Sequence, residues 1–359
     1  MCLPRWALPL VGVLLAAGCA LPDKLEPIDL EAADSPVAAD FSSEIDLLER
    51  FEAQVEQPWF ALEQGAFEGV DGITIRYRVS PANAPKGAVV LLGGRTEAAA
   101  KHAENVFDLN AQGYTVYAMD HRGHGASDRL FEGSDLCHVE YFQDYVEDLA
   151  TLMDGVVLPA QDGPVFVVGH SMGASVAALY LWQHPEVFDG AVFSSPMFGV
   201  DTGAFPLAVA QTLATGVCSA SAGAAYTVGH GDYDPDHAFE DSQVTQSQVR
   251  FDLKKQLYEQ YPELRVGGAS WSWVCESMWA AEVLQRLGRH TPTRTLMFQV
   301  GDEQIVLPEA QDAWCDDAPG CQKVFVDGAR HEILSEADAY RNRALALTVR
   351  YLDALAEAR

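Results

Sequence analysis

The chain has 359 residues, 48% of them hydrophobic, and a formal net charge of −29 at pH 7. That length and apolar content suit one large α/β domain with an inserted subdomain, or two small domains. The negative charge argues against nucleic acid as a partner and against binding to strongly anionic membrane surfaces, because like charges repel.

The N-terminus has the pattern of an exported lipoprotein. Arg5 precedes an apolar stretch, residues 6–17, that is too short to span a bilayer. Residues 15–19 (Leu-Ala-Ala-Gly-Cys) resemble the lipobox of bacterial lipoproteins, with alanine in place of the usual leucine. We expect residues 1–18 to be a signal peptide and lipid on Cys19 to anchor the protein, with ordinary secretory cleavage as the alternative. The expected location is the cell envelope, at the periplasmic face or the outer membrane, or else outside the cell.

The remainder of the chain predicts an α/β protein. Residues 19–58 are expected to hold the lipidated cysteine, an acidic solvated tether over 20–40 and a short helix near 44–57. Strand-like runs then alternate with helix-like stretches such as 98–112 and 141–157, which indicates a mostly parallel sheet of about eight strands. The predicted strands are 73–79, 88–92, 114–119, 165–168, 191–194, 295–300 and 323–326.

One long segment interrupts this alternation. Residues 59–196 and 291–359 are expected to form the core, and residues 197–290 are typical of helices and loops. The best helices of that segment are 243–261 and 271–287. We therefore expect a helical cap inserted after the sixth core strand.

The most informative motif is Gly-His-Ser-Met-Gly at 169–173, which fits the G-x-S-x-G nucleophile elbow. It lies between a predicted strand and a predicted helix, and that context is what the chemistry needs. A sharp turn there exposes the hydroxyl of Ser171, and the flanking glycines leave room for the close crossing of strand and helix.

A serine nucleophile needs a base, and the base needs an orienting acid. In such folds the chain order is Ser, then Asp or Glu, then His. His331 follows the last predicted strand and is the candidate base. The acid should follow the strand at 295–300, where the pattern of one residue and then two apolar ones favours Glu303, with Asp302 as the alternative.

Two backbone N–H groups are expected to stabilise the oxyanion that develops during acyl transfer. One is that of Met172, the residue after the nucleophile. The other should come from the loop at 93–97, where the register favours Arg95. The same loop is also consistent with a plain tight turn before a helix.

Cys315 and Cys321 enclose the turn-rich sequence Asp-Asp-Ala-Pro-Gly and are plausible disulfide partners in an oxidising compartment. Cys137, Cys218 and Cys275 are left without an assigned partner. For each of the five cysteines, a small buried apolar residue is the alternative interpretation.

Several blocks of sequence resemble the lysophospholipase L2 and monoacylglycerol lipase-like group of the α/β-hydrolase superfamily. The resemblance extends from about residue 66 to the C-terminus. It rests on residues 94–97, 120–127, 138–149, 195–199, 265–277 and 328–334.

The resemblance implies an α/β-hydrolase fold, a triad of Ser171, Glu303 and His331, and a cap over an acyl pocket. No metal and no organic cofactor are expected. The chain departs from these relatives in having Glu303 where aspartate is frequent, and in its lipobox and acidic tether.

The leading hypothesis is a serine carboxylic-ester hydrolase that releases a fatty acid from a single-chain lipid, above all a lysophospholipid. A monoacylglycerol lipase or a lipid acyltransferase with the same triad is the alternative, and a non-catalytic lipid-binding surface lipoprotein is a third interpretation. Cap aromatics are candidates for an acyl tunnel or for plain cap core, namely Phe198, Phe205, Trp271, Trp273 and Trp279.

Overall fold

The computed structural model describes residues 23–30, 41–200 and 223–359. Their strands form a single eight-stranded sheet. In chain order the strands are β1 Gln64–Glu68, β2 Thr74–Ser80, β3 Gly87–Leu92, β4 Tyr114–Met119, β5 Val165–His170, β6 Gly190–Ser194, β7 Thr295–Asp302 and β8 Cys321–Arg330.

The strand order across the sheet is β1-β2-β4-β3-β5-β6-β7-β8. Strand β2 pairs antiparallel with both β1 and β4, and the other pairs are parallel. The predicted α/β fold with a mostly parallel sheet of about eight strands is therefore confirmed. The sequence did not predict β1, an edge strand that alternates between exposed and half-buried residues and has no apolar run.

The helices precede, connect and follow the strands, and they pack on both faces of the sheet. They are α1 Glu44–Phe51, α2 Gln57–Ala61, α3 Ala103–Ala111, α4 Gln143–Leu152, α5 Met172–Gln183, α6 Gln248–Gln260, α7 Trp271–Leu287, α8 Pro308–Asp317 and α9 Asp338–Glu357.

Side-chain caps determine where the cap helices begin. The hydroxyl of Ser247 accepts a hydrogen bond from the N–H of Arg250 (3.1 Å), so α6 begins at residue 248 rather than at the predicted 243. The hydroxyl of Ser270 accepts from the N–H of Trp273 (3.0 Å) and starts α7 at the predicted residue. Both helices lie between β6 and β7 in the chain, which is where the cap was expected.

Two apolar layers hold the helices against the sheet. One includes Leu149 of α4, Val176 of α5 and Trp314 of α8. The other includes Leu109 of α3 and Leu352 of α9. Burial of each such side chain contributes roughly 1.5–3 kcal/mol, so the sheet is a rigid scaffold for the loops at the carboxyl ends of its strands.

Part of the predicted tether packs on the core. The ammonium of Lys24 donates to the carbonyls of Cys315 (2.7 Å) and Ala318 (2.9 Å), at the end of α8, and the side chain of Leu30 is buried. A lysine stabilises the carbonyls at a helix C-terminus, so these two contacts hold part of residues 23–30 on the core, although most of these residues are exposed as expected for a tether. Residues 1–22 and 31–40, with the signal peptide and Cys19, lie outside the described residues.

The sulfurs of Cys315 and Cys321 are bonded, with their Cα atoms 5.2 Å apart, so a disulfide joins α8 to the start of β8. Cys137 is a buried free thiol, and Cys218 lies outside the described residues. Within the described ranges, no helix combines the length and the apolar character that crossing a bilayer requires.

Candidate active site

Ser171 occupies the turn between β5 and α5, with φ 49° and ψ −113°. Such a conformation is strained for a residue with a Cβ atom and is typical of functional turns. A Cβ atom on Gly169 would lie 2.7 Å from the Cα of Ala174, and one on Gly173 would overlap the carbonyl of Leu92. The predicted elbow is therefore present, and the two glycines are required by close backbone contacts.

The three predicted triad residues lie together. The Nε2 atom of His331 is 3.0 Å from the Oγ atom of Ser171, and its Nδ1 atom is 2.8 Å from the Oε2 atom of Glu303. His331 follows β8 and Glu303 follows β7, so the carboxyl ends of adjacent parallel strands bring them together. This is the serine–base–acid geometry of nucleophilic acyl transfer.

Glu303 is held by its own backbone surroundings. Its Oε1 atom accepts hydrogen bonds from the N–H groups of Ile305 (2.9 Å) and Val306 (3.2 Å). Burial raises the pKa of the Glu303 carboxyl, but His331 and these two N–H groups lower it by more, so the pKa lies below its ordinary value. Glu303 is therefore ionised at neutral pH and can stabilise a protonated imidazole.

The alternative acid faces elsewhere. One carboxylate oxygen of Asp302 lies 3.2 Å from the Nε atom of Arg330, and the other accepts from the side-chain amide of Gln304 (3.0 Å). Its side chain is nearly half exposed, whereas that of Glu303 is buried. The structure thus places Glu303, and not Asp302, on the histidine.

The helix start and the loop that were predicted to supply the oxyanion donors both lie at the serine. Met172 is the first residue of α5, where the N–H groups have no acceptor within the helix. The loop with Arg95 lies against the elbow, because a Cβ atom on Gly94 would be only 3.2 Å from the Cβ atom of Ser171. The guanidinium of Arg95 lies over the ring of Trp273, 5.3 Å from its centroid.

Glu97 holds this loop through a hydrogen bond to its backbone, a role that was not predicted from the sequence. The Oε2 atom of its buried carboxylate accepts from the N–H of Gly94 (2.5 Å) and lies 2.9 Å from the Nε2 atom of His102. Its other oxygen pairs with the ammonium of Lys101. Burial raises the pKa of Glu97, but Lys101 and the neighbouring histidines lower it well below its ordinary value. The only sequence signal was the four-residue spacing of Glu97 and Lys101, which suits an ion pair on one helical face.

Buried ion pairs connect Lys101 to the loop that carries His331. Its ammonium lies 2.7 Å from a carboxylate oxygen of Glu332, the residue after His331. Burial raises the pKa of Glu332, but the ammonium groups of Lys101 and Lys254 lower it to about 2. Burial lowers the pKa of His170 to about 4, so this ring is neutral at pH 7 beside that of His331, with ring centroids 4.9 Å apart.

The two histidines of the loop after β4 serve the core and not the triad. His121 lies 3.2 Å from the carbonyl of Gly93 through Nε2, and His124 lies 2.9 Å from the carbonyl of Arg122 through Nδ1. Both rings are buried. Burial lowers their pKa values to about 4 and about 3, so both are neutral at pH 7.

A cavity of about 650 Å³ opens beside Ser171 and His331. Its volume lies within the range of small-molecule sites. Much of its wall is apolar and comes from the cap and from the loop after β7, including Met197, Trp273, Val274, Met278, Ile305 and Val306. The site can therefore hold an apolar chain next to the nucleophile. We refer to this space as the acyl cavity.

The aromatic residues of the cap divide between two environments. Trp271 and Trp273 line the acyl cavity. Phe198 does not, because its ring packs in the core against Phe193 and Trp314, with centroids 5.9 and 4.9 Å away. Trp279 is not part of the described cavity wall, and Phe205 lies outside the described residues.

Comparison with known proteins gives a consistent picture. Residues 83–338 match the protein family described as serine aminopeptidase, S33. Lysophospholipase L2 of Escherichia coli strain K12 is 33% identical over 294 residues, which span 80% of this chain and 86% of that protein. A monoacylglycerol lipase of Mycolicibacterium smegmatis is 36% identical over 149 residues, 40% of this chain and 50% of that protein.

A solved structure shares the architecture. That of a soluble variant of monoglyceride lipase from Saccharomyces cerevisiae, in complex with a substrate analog, matches with a TM-score of 0.65. The match covers 82% of this chain and 95% of that one at 19% identity. At this identity the likeness speaks for the fold, and it confirms the expected α/β-hydrolase architecture.

Proposed function

The chain is a serine hydrolase of the serine aminopeptidase S33 family, and we propose that it hydrolyses the carboxylic ester of a single-chain lipid, releasing the fatty acid. A lysophospholipid is the favoured substrate, because the lysophospholipase L2 relative matches over most of both chains. A monoacylglycerol is the second candidate, since a monoacylglycerol lipase is 36% identical over part of the chain.

The observation that carries the proposal is the position of the triad at the acyl cavity. Ser171 and His331 lie in the wall of a space of about 650 Å³ whose other side is largely apolar. An acyl chain in that space would place its ester carbonyl at the nucleophile. The family description would suggest a peptide substrate. A peptide has fewer apolar groups than an acyl chain with which to contact this largely apolar wall.

The first half of the reaction follows from the triad geometry. The Nε2 atom of His331 takes the hydroxyl proton as the Oγ atom of Ser171 attacks the ester carbonyl carbon. The carbonyl oxygen becomes an oxyanion, for which the N–H groups of Met172 and Arg95 are the proposed donors. The alcohol then leaves with the proton from His331, and the acyl group stays on Ser171.

Water completes the cycle. His331 removes a proton from a water molecule, which attacks the acyl carbon, and the fatty acid leaves as the Ser171 hydroxyl is restored. Glu303 holds the imidazole through Nδ1 in both halves and stabilises its positive charge. The acyl-enzyme is also the species that an acyltransferase would form, so the acceptor decides between hydrolysis and transfer.

We also propose that the protein belongs to the cell envelope, anchored by lipid on Cys19. The lipobox-like sequence supports this location. Residues 20–23 separate Cys19 from Lys24, which packs on the core, and five extended residues span at most about 18 Å. A lipid on Cys19 would therefore hold the catalytic domain close to the membrane that contains its substrate.

The test is release of fatty acid by the full-length chain. Oleoyl lysophosphatidylcholine, monooleoylglycerol and a short p-nitrophenyl ester are compared, with the Ser171→Ala variant beside the wild type. Loss of the nucleophile should lower kcat by roughly 10³-fold or more on every ester.

Ser175→Ala is the matched control, because Ser175 lies on the same helix and its hydroxyl donates to the carbonyl of Met197 (2.7 Å). This variant should keep its activity within a few fold. If the folded wild type releases no fatty acid from any of the three esters, the hydrolase proposal is wrong, and the transferase and lipid-binding alternatives gain support.

A further inference from the structure

A second cavity, of about 430 Å³, adjoins the acyl cavity. The two spaces share wall residues, namely Arg95, Thr96, His230 and Glu332. The second cavity therefore begins where the oxyanion loop and the catalytic histidine loop meet. If the acyl chain of an ester occupies the acyl cavity, a group on the alcohol side of that ester can enter the second cavity where the two cavities meet.

The walls of this second cavity carry positive charge. Lys254 and Lys255 of α6 line it, together with Arg95. The ammonium of Lys254 lies 5.1 Å from the ring centroid of Phe251. In the described part of the chain, no carboxylate lies within the 4.0 Å that an ion pair with Lys254 requires.

The nearby buried carboxylates are already engaged. Glu97 is bound by Lys101 and His102, and Glu332 by Lys101. Burial lowers the pKa of Lys254, and Glu332 offsets that effect only in part. An anion in the cavity would therefore gain a charge-assisted contact that the protein itself does not supply to this lysine.

Exposed residues of the cavity wall carry the opposite charge. Asp232 and Asp234 line the same space and are exposed. Asp232 accepts from the hydroxyl of Tyr226, which fixes its position. A cation at this rim and an anion farther in, near Lys254, would both be stabilised, and a zwitterionic group has that order of charges.

We propose that the second cavity is the head-group subsite of the enzyme and binds a zwitterionic phosphodiester, such as the glycerophosphoethanolamine part of a lysophospholipid. Its phosphate would contact Lys254 and Arg95, and its amine would face Asp232 and Asp234. The inference rests on the proposed function, because it takes the acyl chain to occupy the acyl cavity. The site then selects lysophospholipids over monoacylglycerols, whose glycerol carries no charge.

The test compares two substrates with the same acyl chain, 1-octanoyl lysophosphatidylethanolamine and 1-octanoylglycerol, in the full-length protein. The readout is the ratio of kcat/KM on the first lipid to kcat/KM on the second. Lys254→Met, which keeps the length and removes the charge, should lower this ratio at least about tenfold. Lys254→Arg should restore at least half of the wild-type ratio.

Lys86→Met is the matched control, because Lys86 pairs with Asp353 (2.9 Å), at the surface and outside both cavity walls. It should leave the ratio at its wild-type value. Should Lys254→Met fold poorly, binding of the two lipids to Ser171→Ala and to Ser171→Ala/Lys254→Gln gives the same comparison without turnover, because glutamine also removes the charge.

Two outcomes separate the claims. If the wild type cleaves neither lipid, the proposed function is wrong. If it cleaves both and Lys254→Met keeps the wild-type ratio, only the subsite is wrong. Inorganic phosphate is a further probe: inhibition of octanoylglycerol cleavage by millimolar phosphate, with no effect of Lys254 on the lipid ratio, would indicate a free-phosphate site and overturn the head-group assignment.

Discussion

Asp302 and Glu303 are consecutive carboxylates at the end of β7, and they have different partners. Glu303 reaches His331 and two backbone N–H groups, whereas Asp302 reaches Arg330 at the surface. The sequence register already favoured Glu303. The reason is visible in the fold, since the residues after Glu303 turn back and donate to its carboxylate.

Substitutions of these two carboxylates should have very different effects on kcat. Glu303→Gln removes the negative charge that orients and stabilises the imidazolium, so kcat on a lipid ester should fall by about 10²- to 10⁴-fold. Asp302→Asn removes only a half-exposed ion pair and should keep kcat within about threefold of the wild type. Steady-state kinetics of both variants on one ester measure this. Equal losses in the two variants would show that the acid has been assigned to the wrong residue.

Glu97 illustrates what residue-level reasoning from the sequence missed. The oxyanion loop was predicted from the backbone of Arg95, and a carboxylate two residues later could be a surface charge. Its partners are the N–H of Gly94 and the side chains of Lys101 and His102. Burial of this cluster results from the packing of α6 and the loop after β8 over it, which depends on residues more than 150 positions away.

At the scale of whole elements, the buried strands were predictable because a parallel strand covered on both faces is a continuous apolar run. Strands β3 to β6 are buried along their whole length and match the predictions within two residues at each end. Strand β1 has no such run. The start of α6 was placed too early because Ser242 and Thr245 form local turn contacts ahead of the Ser247 cap.

A carboxylate joins the cap helix α7 to the core helix α4. The Oε2 atom of Glu276 accepts from the N–H of Phe142 (2.9 Å), just before α4. Burial is the main reason that the pKa of Glu276 is raised to about 7; the N–H of Phe142 opposes the shift, and Asp144 and Glu140 add to it. This contact therefore depends on pH in the neutral range.

The sign of that dependence follows from the raised pKa. The folded state holds the Glu276 proton more tightly than the unfolded state, so stability is full below the ordinary glutamate pKa and is lost as pH rises toward 7 and above. Glu276→Gln keeps an acceptor for Phe142 and removes the ionisation. Relative to the wild type, it should gain about 1–2 kcal/mol between pH 5 and pH 8, after allowing for partial exposure.

Thermal unfolding at the two pH values measures this difference. Glu282→Gln on the same helix is the control, because Glu282 is half exposed and pairs with Arg286 (2.6 Å). Its effect on the melting temperature should be small and the same at both pH values. A Glu276→Gln variant with an equally constant effect would show that Glu276 ionises normally in the folded protein.

For the molecule as a whole, the net charge of −29 does not describe the interior of the site. Beside the triad, Lys101 pairs with the carboxylates of Glu97 and Glu332, and Lys254 adds an ammonium group that has no carboxylate within 4.0 Å in the described part of the chain. Most of the excess carboxylates therefore lie elsewhere, so the acidity of the whole chain does not by itself exclude a phosphate from the part of the second cavity near Lys254.

The sequence predicts features that a single segment determines, and not those that several separate segments build together. The fold and the Ser171, Glu303 and His331 arrangement were predictable, because each residue directly follows a recognisable strand. The two cavities were not, because their walls combine the oxyanion loop, the cap helices and the histidine loop from separate parts of the chain. Only their packing shows that Lys254 lines the second cavity.

The central claim is that Ser171 is the nucleophile activated by His331. The most direct measurement is covalent labelling of the full-length protein with a fluorophosphonate, followed by mass spectrometry of the peptides. The account predicts a single adduct per chain, on Ser171, which is absent in Ser171→Ala and forms at least about 100-fold more slowly in His331→Ala. An adduct on another residue, or undiminished labelling of Ser171→Ala, would contradict it.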